Sequence, residues 1–187
     1  VSGGGRKKWR VAIRLRAARL RRDESAYALR GSGVTVVTGG GLGENWKIFM
    51  NIVVDTNVLV AGLRSRNGAS NALLHKISDG KGFVLHLSTA AVLEYEEVLV
   101  RELVPSLFAS RDILWFLDDL IAASVRHASI RRFRPISSDP DDDCMIELAL
   151  TADVQALVTH NKPHFKELPA RGIKVLTPAE ILRTLKL

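Results

Sequence analysis

Residues 51–61 read NIVVDTNVLVA, and this stretch decides the fold. Ile52, Val53 and Val54 form a β-branched apolar run with no polar alternation. That is the pattern of a strand buried on both faces, as in a parallel sheet. The run stops at Asp55, and Thr56 and Asn57 follow at once. Open parallel sheets bind ligands beyond the carboxyl ends of their strands, so a carboxylate there is placed for chemistry. Capping alone would also account for it, because Asp is a common N-cap and turn residue.

Outward from this strand the chain alternates between strand and helix patterns. The periodicity predicts a strand over 51–54, a helix over 69–79, a strand over 83–87 and helices over 89–103 and 111–124. A strand or irregular segment is expected near 129–134. A helix over 142–152, strands over 155–159 and 173–176 and a helix over 178–185 complete the series. Pro105 and Pro178 punctuate helix boundaries. Such alternation predicts an α/β chain, with a central, mainly parallel sheet between two layers of helices.

Residues 1–49 differ in kind. They hold eleven Lys/Arg against three Asp/Glu, whereas 50–187 hold sixteen against seventeen, so the net charges are +8 and −1. The overall excess of +7 therefore belongs to the first segment, and an argument for nucleic-acid binding cannot rest on it. KKWRVAIRLRAARLRR (7–22) has the makings of a basic amphipathic helix, an arm for RNA or an anionic membrane. VTVVTGGGLGEN (34–45) imitates a strand entering a phosphate loop, but a dinucleotide fingerprint needs a glycine where Glu44 stands. Met50 directly precedes the first clear strand. The expected organisation is a basic extension over 1–49, a disordered tail or an over-extended start, followed by a folded domain over 50–187.

Composition narrows the class. An apolar fraction of 47% supports a real core. No apolar run approaches the length of a membrane span, so no membrane association of the domain is expected. Cys144 is the single cysteine, which rules out an internal disulfide and fits a cytoplasmic setting. It reads as a small core residue.

Acidic residues recur at three places. Asp55 is the first. Glu94, in STAAVLEYEEVL (88–99), is the second: Ser88 or Thr89 caps this helix, and Glu94 lies beside its apolar stripe. The third is SDPDDDCMIELAL (138–150), with Asp139, Asp141, Asp142 and Asp143 around Pro140. One Asp near a helix N-terminus is accounted for by the dipole. Four within five positions exceed that need, and their mutual repulsion calls for a cation. All-oxygen ligands select Mg²⁺ or Mn²⁺ rather than zinc. A fourth element, ALVTHNKPHF (156–165), brings Thr159, His160 and Asn161 to the same sheet edge as Asp55. These are groups that hydrogen-bond a phosphate or a metal-bound water, or simply close a turn. His75, His86 and His127 stand in no motif.

VVDTNVLVAG, STAAVLEYEEVL, SDPDDDCMIELAL and ALVTHNKPHF, in this order, resemble the PIN domain. More narrowly, they resemble the toxin ribonucleases of bacterial toxin–antitoxin pairs. The resemblance covers 50–187. It implies a three-layer α/β/α sandwich whose clustered acids bind Mg²⁺ or Mn²⁺ and hydrolyse RNA phosphodiester bonds. It assigns the metal and catalytic roles to Asp55, Glu94 and Asp142, with Asp139 and Asp143 as near alternatives to Asp142. Thr56, Asn57, Thr159 and Asn161 line the site edge. The implied partners are an RNA substrate, a cognate antitoxin protein and a second copy of the chain. Family members usually carry a fourth Asp where this chain has Asn161 or His164, which leaves one negative charge fewer.

The substrate phosphates have candidate partners in Arg64 and Arg66, in the loop after the first strand, and in Arg131, Arg132 and Arg134, before the acidic turn. A solvated basic loop is the plainer account. Two other functions compete. A haloacid-type phosphatase needs a second Asp two residues after the first, and Asn57 stands there. A catalytically weakened RNA- or partner-binding module is favoured by the missing fourth acid.

Overall fold

The computed structural model describes residues 29–31, 34–37, 47–104, 106–128, 130 and 140–185. Side chains are described at 49–104, 106–128, 130 and 143–185. The centre of the fold is β3 (Lys47–Val54), which is flanked in parallel by β4 (Phe83–Ser88) on one edge and by β6 (Ala156–Val158) on the other. Beyond β4 lies β5 (Val125–His127), and beyond β6 lies β7 (Lys174–Leu176), both parallel to their neighbours. Ile52, Val53 and Val54 are each 0% exposed. Alternate side chains of a strand point to opposite faces, so both faces of β3 are covered by helices. The result is a three-layer α/β/α sandwich around a mostly parallel sheet.

The helices are α1 (Thr56–Arg64), α2 (Ala69–Ser78), α3 (Thr89–Leu103), α4 (Ser110–Ala122), α5 (Pro140–Thr151) and α6 (Pro178–Thr184). Helix α3 starts where expected because the Ser88 side chain accepts a hydrogen bond from the Ala91 amide at 3.1 Å. Its buried face is Ala91, Tyr95, Leu99 and Leu103, a stripe at helical spacing.

Two expectations need correction. The first strand begins at Lys47, not at residue 51. The residues after Asp55 are helical, so Arg64 is the last residue of α1 rather than part of a loop. Strand β5 at Val125–His127 was not expected, and the strand or irregular segment expected near 129–134 lies, apart from residue 130, outside the described residues, as do residues 135–139. Within the basic extension, β1 (Leu29–Gly31) and β2 (Val34–Val37) pair antiparallel, and β2 pairs antiparallel with residues 47–50 of β3. Met50 pairs with Val34 and with Phe83, while Ile52 pairs with Leu85 and with Ala156. Strands β2 and β6 therefore follow one another along the same edge of β3. Residues 7–22 and the glycines after residue 38 lie outside the described residues.

Candidate functional site at the carboxyl ends of the strands

The register of β3 and β6 sets Val54 opposite Val158, so the next residues, Asp55 and Thr159, emerge side by side. The Asp55 amide donates to the Val158 carbonyl at 2.8 Å, and the Thr159 amide to the Leu176 carbonyl at 2.9 Å. Both are buried, with Asp55 at 8% exposure and Thr159 at 0%. Asp55 is the N-cap residue of α1 in position, with φ −71° and ψ 149°, but its side chain makes no cap hydrogen bond. Its carboxylate faces the site instead. Oδ2 accepts from Thr159 Oγ1 at 2.6 Å and from Asn57 Nδ2 at 2.6 Å. Asn57 Nδ2 also reaches Thr159 Oγ1 at 3.2 Å, and Asn57 Oδ1 accepts from the His160 amide at 3.1 Å. The Asn161 amide donates to Thr159 Oγ1 at 2.8 Å.

Burial pushes the Asp55 carboxyl up from its ordinary range. The Thr159 hydroxyl, the Thr56 and Asn57 amides and the nearby His164 oppose this without reversing it.

Glu94 is brought to the same end of the sheet by α3. Its Oε1 accepts from Thr56 Oγ1 at 2.6 Å, and its Oε2 accepts from Cys144 Sγ at 2.9 Å. Thr56 thus joins the first and second acids through adjacent residues. Below them, the buried Tyr95 hydroxyl donates to the Val54 carbonyl, at the last residue of β3. Burial, then the Asp55 and Glu94 carboxylates and Cys144, push its phenol well above the ordinary tyrosine range.

The structure therefore gathers Asp55, Thr56, Asn57, Glu94, Thr159 and Asn161. Asp143 is 4% exposed, buried from the first turns of α5. The side chain of Asp142 and all of Asp139, Arg131, Arg132 and Arg134 lie outside the described residues. Arg64 is engaged elsewhere: its guanidinium binds Glu102 Oε2 at 2.8 Å and the Glu102 carbonyl at 3.2 Å. Arg66 is exposed between α1 and α2.

Three participants escaped the sequence. Cys144, read as a core residue, touches Glu94. Tyr95, read as part of the stripe, supports the end of β3. Ser70 pairs with His160 across 90 positions, a contact no local pattern signals. His86 and His127 bind one another, Nδ1 to Nε2 at 2.8 Å, across β4 and β5.

The carboxylates of Asp55 and Glu94 are hard oxygen donors at one end of the sheet, which fits a hard divalent ion in donor chemistry. Among the described residues no group of three or more His, Cys, Asp or Glu is set to hold a metal.

The solved structures that match include one described as VapBC2 from Rickettsia felis bound to a DNA fragment from their promoter. It is 15% identical, with a TM-score of 0.46, covering 68% of this chain and 98% of that one. A likeness this loose says nothing of what the chain binds. No curated protein matches. The PIN-domain family model matches residues 51–163, more than half of the chain and the span that carries Asp55, Glu94, Asp143 and Thr159. This chain belongs to the PIN-domain family.

Proposed function

We propose that this protein is a Mg²⁺- or Mn²⁺-dependent endoribonuclease that hydrolyses RNA phosphodiester bonds in the cytoplasm, as the toxin of a toxin–antitoxin pair. The observation that supports it most is the buried Asp55 carboxylate at the end of β3, oriented by Asn57 and Thr159 and joined to Glu94 through Thr56. The Asp55 carboxylate is held at 2.6 Å by the Asn57 and Thr159 side chains, contacts that capping α1 does not require.

In this reading Asp55, Glu94 and one carboxylate of the 139–143 run hold the ion. Asp142 is the residue the resemblance assigns, and Asp143 is the one whose burial is described. The ion supplies Lewis acidity: it makes water nucleophilic at neutral pH and offsets charge on the phosphate. The chain's own residues orient the ligands. Asn57 and Thr159 fix the rotamer of Asp55, and Thr56 and Cys144 fix that of Glu94. The cognate antitoxin and a second copy of the chain are the protein partners of this reading.

A second reading, an RNA- or partner-binding module with a weakened site, draws on Asn161. Its amide braces Thr159, and its side chain brings no charge where the resemblance implies a fourth acid. The two readings separate in a cleavage assay on the full chain with Mn²⁺ or Mg²⁺. Asp55→Asn and Glu94→Gln abolish metal-dependent cleavage while the fold persists if the nuclease reading holds. RNA retained without cleavage by the unmodified protein at any metal concentration establishes the second.

A further inference from the structure

Next in the chain to Thr159, which binds the Asp55 carboxylate, stands a residue that the proposed ligand set does not use. His160 follows Thr159 directly and is exposed, yet it is held at two points. Its backbone N–H donates to Asn57 Oδ1 at 3.1 Å, and its Nε2 lies 2.8 Å from Ser70 Oγ. Ser70 is 4% exposed, in the first turn of α2. The hydroxyl makes no other hydrogen bond among the described residues, and neither does His160 Nδ1.

These contacts fix more than position. A neutral imidazole carries one N–H and one lone pair, and the partner of one nitrogen decides what the other presents. A buried hydroxyl whose one partner is Nε2 is best satisfied by donating its proton there, which leaves the ring proton on Nδ1. A charged imidazole, donating from Nε2 to Ser70 Oγ, also keeps a proton on Nδ1. Both forms offer an N–H at Nδ1, on an exposed residue whose backbone is fastened to Asn57 of the acidic site. What such a donor recognises is an anionic oxygen. A nucleic-acid strand entering the pocket brings one on every phosphate, and an acidic site gains by such a donor at its edge.

We propose that His160 contacts a backbone phosphate of the bound RNA strand, and that Ser70 is a positioning residue that holds its imidazole as an outward N–H donor. The inference rests on the ribonuclease reading for its substrate, but its test does not need cleavage. The placement follows from the packing of α2 on α1. Gly62 has no side chain, so the backbone at Ser70 and Asn71 comes within 3.2–3.3 Å of where a Cβ would sit. Asn71 Nδ2 fastens that approach by donating to the Gly62 carbonyl at 2.8 Å.

The test uses the full chain, a labelled single-stranded RNA oligonucleotide and EDTA, so that binding is read without metal or turnover. His160→Ala weakens binding about tenfold, the scale of one hydrogen bond to a charged group. Ser70→Ala weakens it several-fold in the parent protein and is silent in the His160→Ala background, because it acts through that ring. His160→Lys restores affinity and is indifferent to Ser70→Ala. Nitrogen-15 spectra of the imidazole show the Nδ1–H form in the parent and its loss in Ser70→Ala. A single-stranded DNA of the same sequence loses affinity to the same degree, as a phosphate contact requires.

The proposal is overturned if His160→Ala leaves RNA affinity unchanged, if Ser70→Ala is equally costly without His160, or if the loss is confined to RNA. Absence of metal-dependent cleavage together with these binding losses would sink the nuclease reading and leave the His160 contact standing.

Discussion

Asp55 costs the fold something that its proposed chemistry needs. A carboxyl whose pKa is raised on folding binds its proton more tightly in the native chain than in the unfolded one. Its contribution to stability is then fully present below the ordinary carboxylate range. It is lost as the pH rises through the raised native value. Burial is the cause here, and the Thr159 and Asn57 hydrogen bonds recover only part of it. Asp55→Asn removes the charge and keeps an acceptor oxygen for both donors. It is therefore expected to melt above the parent at pH 7, with the gap closing as the pH falls toward 4. Adding Mn²⁺ should raise the melting temperature of the parent and leave the variant unmoved, because only an ion bound to the native state stabilises it. Equal melting temperatures at pH 7 would show that the carboxylate is better solvated than its burial implies. The identity of Asp55 was legible in the sequence because a β-branched run ends on it. Its Asn57 and Thr159 bracing was visible only as polar residues at two strand ends. The partnership with Cys144 and the Ser70–His160 pair were not legible, since they depend on how separate helices approach the sheet.

At the scale of elements, the two helices nearest the site were read unequally. Helix α3 carries a capping serine and a stripe at helical spacing, and both ends agree with the expectation. Helix α1 was missed because TNVLVAGLR prolongs the apolar, β-branched character of the strand before it, and no side-chain cap marks its start. What makes it a helix is tertiary: Val58 and Leu59 are 0% exposed, and Gly62 admits α2. A Cβ at Gly62 would lie 2.6 Å from Leu74 Cδ1 and close to the backbone of Ser70 and Asn71. The leucine can turn away and the backbone cannot. Gly62→Ala should cost about 1–3 kcal/mol in denaturant unfolding, the usual range for overpacking. It should also weaken RNA binding by displacing Ser70. A stability change without an affinity change would place the strain on Leu74 alone.

The last helix offers an independent check. Thr177 and Glu180 form a capping box at α6, and Lys162 binds Glu180 at 2.6 Å, tying the loop after His160 to that helix. Lys162 and the Thr177 amide and hydroxyl lower the Glu180 carboxyl to about 2. A depressed carboxyl stabilises the fold above its ordinary range and loses that contribution as the pH falls toward 2. Glu180→Gln should therefore flatten the acid limb of the stability curve without affecting its neutral-to-basic shape. Thr177→Ala should cost about 0.5–2 kcal/mol, the range for losing an N-cap.

For the whole molecule, the order of apolar strands and amphipathic helices was enough to predict the layers, because each central strand is buried on both faces and each helix has one apolar stripe. The lower edge of β3 was not foreseen. The basic composition of residues 1–49 hid two short strands, of which β2 pairs along Lys47–Met50, below the stretch taken by β6, and β1 pairs with β2. The strand therefore starts ahead of Met50, and Phe49 is already 9% exposed. A domain cut at residue 50 would remove part of the central strand, whereas one cut at residue 47 would remove only the hairpin and the basic segment. The family match begins at residue 51, and β4 still holds Met50 through its pairing with Phe83. A chain of 47–187 is thus expected to fold, to melt cooperatively and, on the proposed ribonuclease function, to match the full chain in RNA cleavage. Its loss of affinity for RNA should be greatest at low salt, since the removed residues 1–46 carry a net charge of +7 and such attraction is screened. A chain of 50–187 should be less stable than 47–187, because it starts within β3. Melting curves of the two truncations, with RNA binding at two salt concentrations, decide it. If 47–187 aggregates while the full chain is monodisperse, the β1–β2 hairpin is an integral part of the sheet, protecting an edge that otherwise pairs between molecules.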